Sequence, residues 1–201
     1  MSEEVETEEQ ILNAAKQVFQ HHGFAGARMQ AIADEAGINK SMLHYYFRSK
    51  DKLFQKVFQQ SMREFFPKIF EVLNAGIDLD SKVKKLVDTY YTMFLKHPHL
   101  PRFVIHEMNQ HPERFKKFMQ HNGMEIPSRF IEQIEKEVKA GRIKEIEPRE
   151  FIINTIGLCV FPLIARPMIE TVFNMDDGQY KDFLENRKKE LPSFILNAVK
   201  R

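Results

Sequence analysis

An all-α fold is predicted, and three observations predict it. Apolar residues recur at helical spacing along nearly the whole chain, strand-like alternation bounded by hairpin turns is missing, and Gly and Pro fall between the periodic segments. With 201 residues, 43 % hydrophobic and 29 % charged, the chain can bury a sizeable core and has the length for a small domain fused to a larger one.

The elements follow in order. Thr7 and Gln10 have capping-box spacing, so a first helix is expected over 8–22, with Ile11, Ala15, Val18 and Phe19 on one face and Gly23 as its stop. A second helix is expected over 30–36, ended by Gly37. Asn39 is the expected N-cap of a third over 40–46, and Ser49 that of a fourth starting at Lys50. The fourth carries a stripe from Leu53 and Phe54 through Val57, Phe58, Met62, Phe65, Phe66, Ile69 and Phe70 to Leu73, with Pro67 set to kink or end it. Further helices are expected over 81–96 and 100–110. Another runs from Pro112, interrupted around Gly123 and Pro127, to a stop at Gly141. Pro148 opens a single helix reaching Phe173, and a last helix covers 178–200.

A lone cysteine, Cys159, excludes an intrachain disulfide framework and a cysteine-built zinc site, which suits a reducing compartment. The first thirty residues lack a secretory signature, and the apolar stretch 151–173 is broken by Asn154, Arg166, Glu170, Pro162 and Pro167. A cytoplasmic protein without membrane attachment is expected. Net charge is only +2, but between Arg28 and Lys56 six cations face three anions, behind an acidic start at Glu3, Glu4, Glu6, Glu8 and Glu9. Such a patch fits a nucleic-acid footprint or an ordinary solvated face.

The segment from Gly23 to Leu53 carries the most information. Ile32–Ala33 pairs a large apolar residue with a small one. Ala36–Gly37–Ile38 supplies a small residue, a turn glycine and an apolar plug, and Leu43 and Phe47 complete a small core. These are the requirements of a helix-turn-helix. They leave Lys40, Ser41, Met42, His44 and Tyr45 at the outer face or rim, within reach of base edges or phosphates in a major groove. Met42 suits rim packing as well as base contact.

Gly23-Phe24, Ile32-Ala33, Ala36-Gly37-Ile38, Lys40-Ser41, Leu43 to Phe47, Ser49-Lys50 and Leu53-Phe54 together resemble the N-terminal module of the TetR (TetR/AcrR) repressors, over the first 55 to 60 residues. The resemblance implies an N-terminal three-helix helix-turn-helix DNA-binding domain (1–50) and a larger helical ligand-binding and dimerisation domain (51–201), working as a homodimer on double-stranded operator DNA. It implies that Tyr46 meets the DNA backbone, that Lys50 sits at a phosphate-binding helix start, that Lys40, Ser41, Met42, His44 and Tyr45 hold the recognition-helix positions, and that Gln30 makes a contact from the second helix. The sequence departs from the family at Ala27 and Arg28, where Thr or Ser is common, and at His44, where Tyr is common. Arg28 at a helix N-terminus opposes the dipole by about 0.3–1 kcal/mol, which a DNA phosphate would offset.

The remainder resembles the family in length and helical organisation alone. The excess of apolar residues over 151–173, with Leu184, Leu191, Ile195 and Val199 on the last helix, suits a dimer interface. Phe94, Phe103, Phe115, Phe118, Met119, Phe130 and Phe161 are candidates to line a cavity for a small hydrophobic or aromatic ligand, and each also suits plain core. His97, His99, His106, His111 and His121, beside Glu107, lack tight metal-ligand spacing. No cofactor motif, nucleophile elbow or phosphate-binding glycine loop is found, so neither a cofactor nor enzymatic activity is expected.

Overall fold

The computed structural model describes residues 3–98, 100–122 and 128–200, apart from the side chains of Glu3 and Gln20. His99 and the interruption expected around Gly123 and Pro127 lie outside these residues. The described residues form α1 (Glu3–Gly26), α2 (Met29–Glu35), α3 (Lys40–Tyr46), α4 (Lys50–Asn74), α5 (Leu79–Lys96), α6 (Leu100–Gln110), α7 (Pro112–His121), α8 (Ser128–Lys139), α9 (Pro148–Ile164), α10 (Arg166–Phe173) and α11 (Asp177–Val199). The all-α fold expected from periodicity is therefore present.

The chain divides into two compact units. One comprises 1–64 and 102–114, and the other 65–101 and 115–201. The first takes in more than the 1–50 segment marked out by sequence. The reason is aromatic: Phe54 of α4 meets Phe19 edge-on at 5.0 Å, Phe24 at 4.9 Å and Phe103 of α6 at 5.0 Å.

In the first unit, α1 begins earlier than expected. Thr7 lies inside it, because Glu4 and Glu6 favour the positive end of the helix dipole. The capping box with Gln10 is not formed. The Gln10 side-chain amide instead donates to the Ala36 carbonyl at 2.7 Å, fixing α1 to the turn between α2 and α3. Gly23 interrupts α1 at φ 65° and ψ 176°, outside helical geometry. Gly37 makes the α2–α3 turn at φ 64°, and Ile38 N–H returns to Ala33 O at 3.0 Å. Ile32, Ala33 and Leu43 are fully buried where the helices meet. Asn39 caps α3 by accepting from Met42 N–H at 2.8 Å, and Ser49 Oγ accepts from Lys52 N–H at 3.2 Å at the start of α4.

In the second unit, α5 packs against α9 and α11, and α8 against α9. Pro67 does not end α4, which continues seven residues further to Asn74. The stripe on α4 is strong enough to hold the helix through one missing backbone bond: Phe65, Ile69 and Leu73 are all buried. The single helix expected from Pro148 to Phe173 is two helices, α9 and α10, bent by 71°. Ala165 is the break, since Pro167 supplies no N–H and restricts the residue before it, so the chain restarts with proline in the first turn of α10. No single described helix is long and apolar enough to cross a membrane. Asp176 and Gln179 form a complete capping box at the start of α11.

Gly37→Ala puts a side chain into a left-handed backbone and should lower stability by about 1–2 kcal/mol, read as a shift of the urea unfolding midpoint. An unchanged midpoint would mean that the turn is not held at positive φ.

Candidate nucleic-acid interface and its surroundings

The outward side of α3 is built by subtraction. Leu43 is its buried residue and Phe47, at the C-cap, is 7 % exposed. Lys40, Ser41, Met42, His44 and Tyr45 are exposed, and Tyr46 is half-buried. Tyr45 is 75 % exposed and stands edge-on to Tyr46 at 5.4 Å. An exposed Tyr45 ring edge-on to a half-buried Tyr46, with a hydroxyl at each tip, suits a polar surface with hydrogen-bond acceptors.

Arg28 is the N-cap of α2, at φ −115° and ψ 138°, with no side-chain cap bond, while Ala27 is buried. The α2 N-terminus thus has an exposed guanidinium beside uncapped amides, both of which attract anions. Gln30 is exposed and its amide donates to Asp34 Oδ1 at 2.7 Å, one turn further along α2.

Lys50 has a job that the sequence reading missed. Its ammonium donates to the carbonyls of Phe24 at 2.8 Å and Ala27 at 3.0 Å, and lies 4.6 Å from the centre of the Phe24 ring. It closes the end of α1 onto the start of α4, and only its remaining N–H is available to a phosphate. The signal was present in Gly23-Phe24: a glycine-broken helix end leaves carbonyls exposed, and a cation satisfies them.

Of the seven expected ligand-pocket residues, the second unit gathers three. Phe94 lies 5.2 Å from Phe65; Phe65 and Phe66 meet at 5.1 Å; and Phe66 reaches Phe115 at 5.4 Å and Phe118 at 6.3 Å. Tyr90, which the sequence reading did not select, joins this array against Phe65 and Phe94. Phe130 is apart, fully buried and 6.1 Å from Phe151. Met119 is half-buried. Phe103 belongs to the first unit, against Phe54 and Phe58, and so departs from the expected group. Phe161 is 53 % exposed and lines no interior, because the apolar excess of α9 exceeds what one buried face accommodates.

Among the described residues, no three His, Cys, Asp or Glu side chains come together as a metal site. Cys159 is fully buried, and desolvation pushes its thiol up to about 12, which leaves it protonated and unreactive near neutral pH. Desolvation likewise pushes the Tyr91 phenol up to about 12.

A model described as "Bacterial regulatory proteins, tetR family" matches residues 11–57, and one described as "Tetracyclin repressor-like, C-terminal domain" matches 80–191, more than half of the chain. The chain belongs to the TetR family of transcriptional regulators. The HTH-type transcriptional repressor NicS of Pseudomonas putida is 33 % identical over 92 residues, which cover 46 % of this chain and 43 % of NicS. The chain thus spans less than half the length of that relative. The probable HTH-type transcriptional regulator YttP of Bacillus subtilis is 24 % identical over 190 residues, covering 92 % of this chain and 91 % of YttP. In fold, the chain is similar to the fatty acid degradation regulator FadR from Bacillus halodurans, with a TM-score of 0.65, 21 % identity and 94 % of each chain covered. As a TetR-family protein it is a DNA-binding transcriptional regulator, with α2–turn–α3 as its helix-turn-helix.

Lys50→Met should lower the stability of the first unit by about 1–3 kcal/mol, because the Phe24 and Ala27 carbonyls lose a charged donor. Hydrogen exchange at 24–27 would report it as faster exchange, and unchanged protection there would remove the lock from the account.

Proposed function

We propose that this TetR-family regulator is a homodimeric repressor, released from operator DNA by a small hydrophobic or aromatic molecule. The observation that carries the DNA-binding part is the exposure of Lys40, Ser41, Met42, His44 and Tyr45 together on one short helix whose inward residue, Leu43, is completely buried. Residues 1–50 supply the DNA-binding domain and 51–201 the ligand-binding and dimerisation domain. Lys40, Ser41, His44 and Tyr45 read base edges in the major groove, with Met42 at the rim. Arg28, Gln30 and Tyr46 hold phosphate, and Lys50 steadies the backbone between Arg28 and α1 while offering its free N–H. Exposed guanidinium at a helix N-terminus supports the role of Arg28.

The ligand reading rests on the aromatic array of Phe65, Phe66, Tyr90, Phe94, Phe115 and Phe118. An apolar molecule parting these rings would displace α4, and α4 is the helix that runs from the second unit into the first. Ligand and DNA then oppose each other through α4, and by linkage each weakens the other equally. The protein works in the cytoplasm and has no enzymatic activity of its own in this scheme. Repression is favoured over activation by the similarity to NicS, although the family's relatives of this chain include an activator.

In a fluorescence-anisotropy titration against DNA upstream of its own gene, with unrelated DNA as competitor, binding should be tight and salt-sensitive. Tyr46→Phe and Lys40→Ala should weaken it, and Arg28→Thr should lower the salt slope by about 1 without altering site preference. Equal affinity for unrelated DNA in all variants would remove the assignment of α3 as the reading helix. The same probe detects an inducer as a loss of anisotropy.

For the dimer, Ile153 and Phe161 on α9 lie eight residues apart, hence on one face, and are 62 % and 53 % exposed. Phe194 on α11 is 63 % exposed and shares a groove with Leu158 and Phe183. Such a surface is costly in water and supports pairing with a second copy. Phe161→Glu with Phe194→Glu should convert a dimer to a monomer in analytical ultracentrifugation and weaken operator binding by more than tenfold; a variant that sediments as a dimer would place the interface elsewhere.

A further inference from the structure

A second charged site lies in the second unit, far in sequence from the helix-turn-helix, where the end of α4, the start of α5 and one side of α8 line an open cleft of about 310 Å³. Lys82 forms part of its wall and is 1 % exposed, among the most deeply buried side chains of the protein. Its ammonium donates to the Leu73 carbonyl at 2.8 Å and lies 5.0 Å from the centre of the Phe130 ring. Among the described residues no carboxylate pairs with it. Desolvation holds its ammonium below the ordinary lysine range, and no anion offsets that effect. Buried charges are otherwise paired, since an uncompensated one is expensive.

The rest of the wall has the same sign. Arg129, Gln133 and Lys136 fall at positions i, i+4 and i+7 of α8, so they share a face and all border the cleft. Gln133 donates to Ile77 O at 2.8 Å, which fixes the α4–α5 turn against α8. Arg142 also borders it. Among the described residues, the one acid lining the cleft, Glu137, is engaged by Arg142 in a two-pronged pair at 2.5 and 3.0 Å, and no carboxylate pairs with Lys82, Arg129 or Lys136.

We propose that this cleft binds a small oxyanion, the phosphate or carboxylate group of a metabolite, as an effector site separate from the aromatic array. Lys82 supplies a desolvated cation at the base, and Arg129 and Lys136 close over the anion from α8, with arginine suited to two-point contact. The volume takes a small metabolite rather than a bare ion alone. A lysine that only satisfied the Leu73 carbonyl would account for one hydrogen bond, but not for two further unpaired cations around the same space.

The test is isothermal titration calorimetry of the full chain in low-salt chloride buffer, with inorganic phosphate in one arm and citrate in the other. Saturable one-to-one binding of either, at millimolar affinity or tighter, is expected, and the arm that binds more tightly identifies the group. Arg129→Gln with Lys136→Gln alters two exposed side chains, so the fold is kept, and should weaken binding at least tenfold; Lys82→Met should abolish it. Lys40→Gln on α3 and Lys84→Gln on the outer side of α5 should leave it unchanged. No saturable binding of either anion overturns the proposal. So does binding that survives the Arg129→Gln/Lys136→Gln change, or that disappears with Lys40→Gln, since the anion would then sit at the DNA-facing surface. None of these outcomes depends on operator binding.

Discussion

The ammonium of Lys50 between two carbonyls is the contact on which the DNA-facing unit depends. Gly23 breaks α1 at positive φ, and the short continuation to Gly26 aims the Phe24 and Ala27 carbonyls toward the start of α4. Without a donor, those groups would remain as a poorly satisfied helix end against the Phe19, Phe24 and Phe54 rings. Lys50 satisfies both at once and covers the Phe24 ring. It thereby fixes Ala27 and the direction in which Arg28 leaves it, and Arg28 begins α2. The geometry of the helix-turn-helix is inherited from a lock located on neither of its helices.

A second constraint acts from the other side. Gln10 grips the Ala36 carbonyl at the tight turn, where Gly37 is already in a left-handed conformation. The turn is therefore held by a side chain from α1 and by its own backbone return to Ala33. With the start of α2 and the α2–α3 turn both anchored to α1, α3 needs only Leu43 and Phe47 to seat it. Five of its seven residues are then free of packing duty, and this is what a surface needs if it is to vary its chemistry without losing the fold.

These locks explain what was legible in the sequence. α3 was readable to the residue, because its cap (Asn39), turn glycine and single buried leucine are all local signals. The start of α1 was misread because Thr7 and Gln10 have the spacing of a capping box, and only the fold reveals that Gln10 is needed by Ala36, twenty-six residues away. The break at Ala165 was hidden by the continuous apolar composition of 151–173, though Pro167 marked it. The outer face of α3 followed from Leu43 by helical geometry. The role of Lys50 and the counter-charge deficit around Lys82 did not, since both arise from long-range placement of carbonyls and cations. The aromatic residues were the least legible. Phe94, Phe103 and Phe161 look alike in sequence, yet one joins an array, one belongs to the other unit and one faces outward.

The distribution of charge decides between two ways of using cations. Around the helix-turn-helix Arg28, Lys40, Arg48 and Lys52 are exposed and hydrated, so each contributes modestly and is screened by salt, which suits a long polyanion that engages several at once. Around Lys82 the cation is buried at the side of an open cleft whose other cations, Arg129 and Lys136, are exposed, so an anion there would be screened less by Lys82's surroundings than at a fully hydrated surface. The first arrangement favours length and register in its partner; the second favours compact charge. A regulator that carried only the first would respond to anions as it does to salt, by losing DNA in proportion to ionic strength. Adding the second, in the unit that also holds the aromatic array, gives it a means of distinguishing one small anion from the ionic background, because one of the three cations, Lys82, is desolvated and all three converge on one cleft.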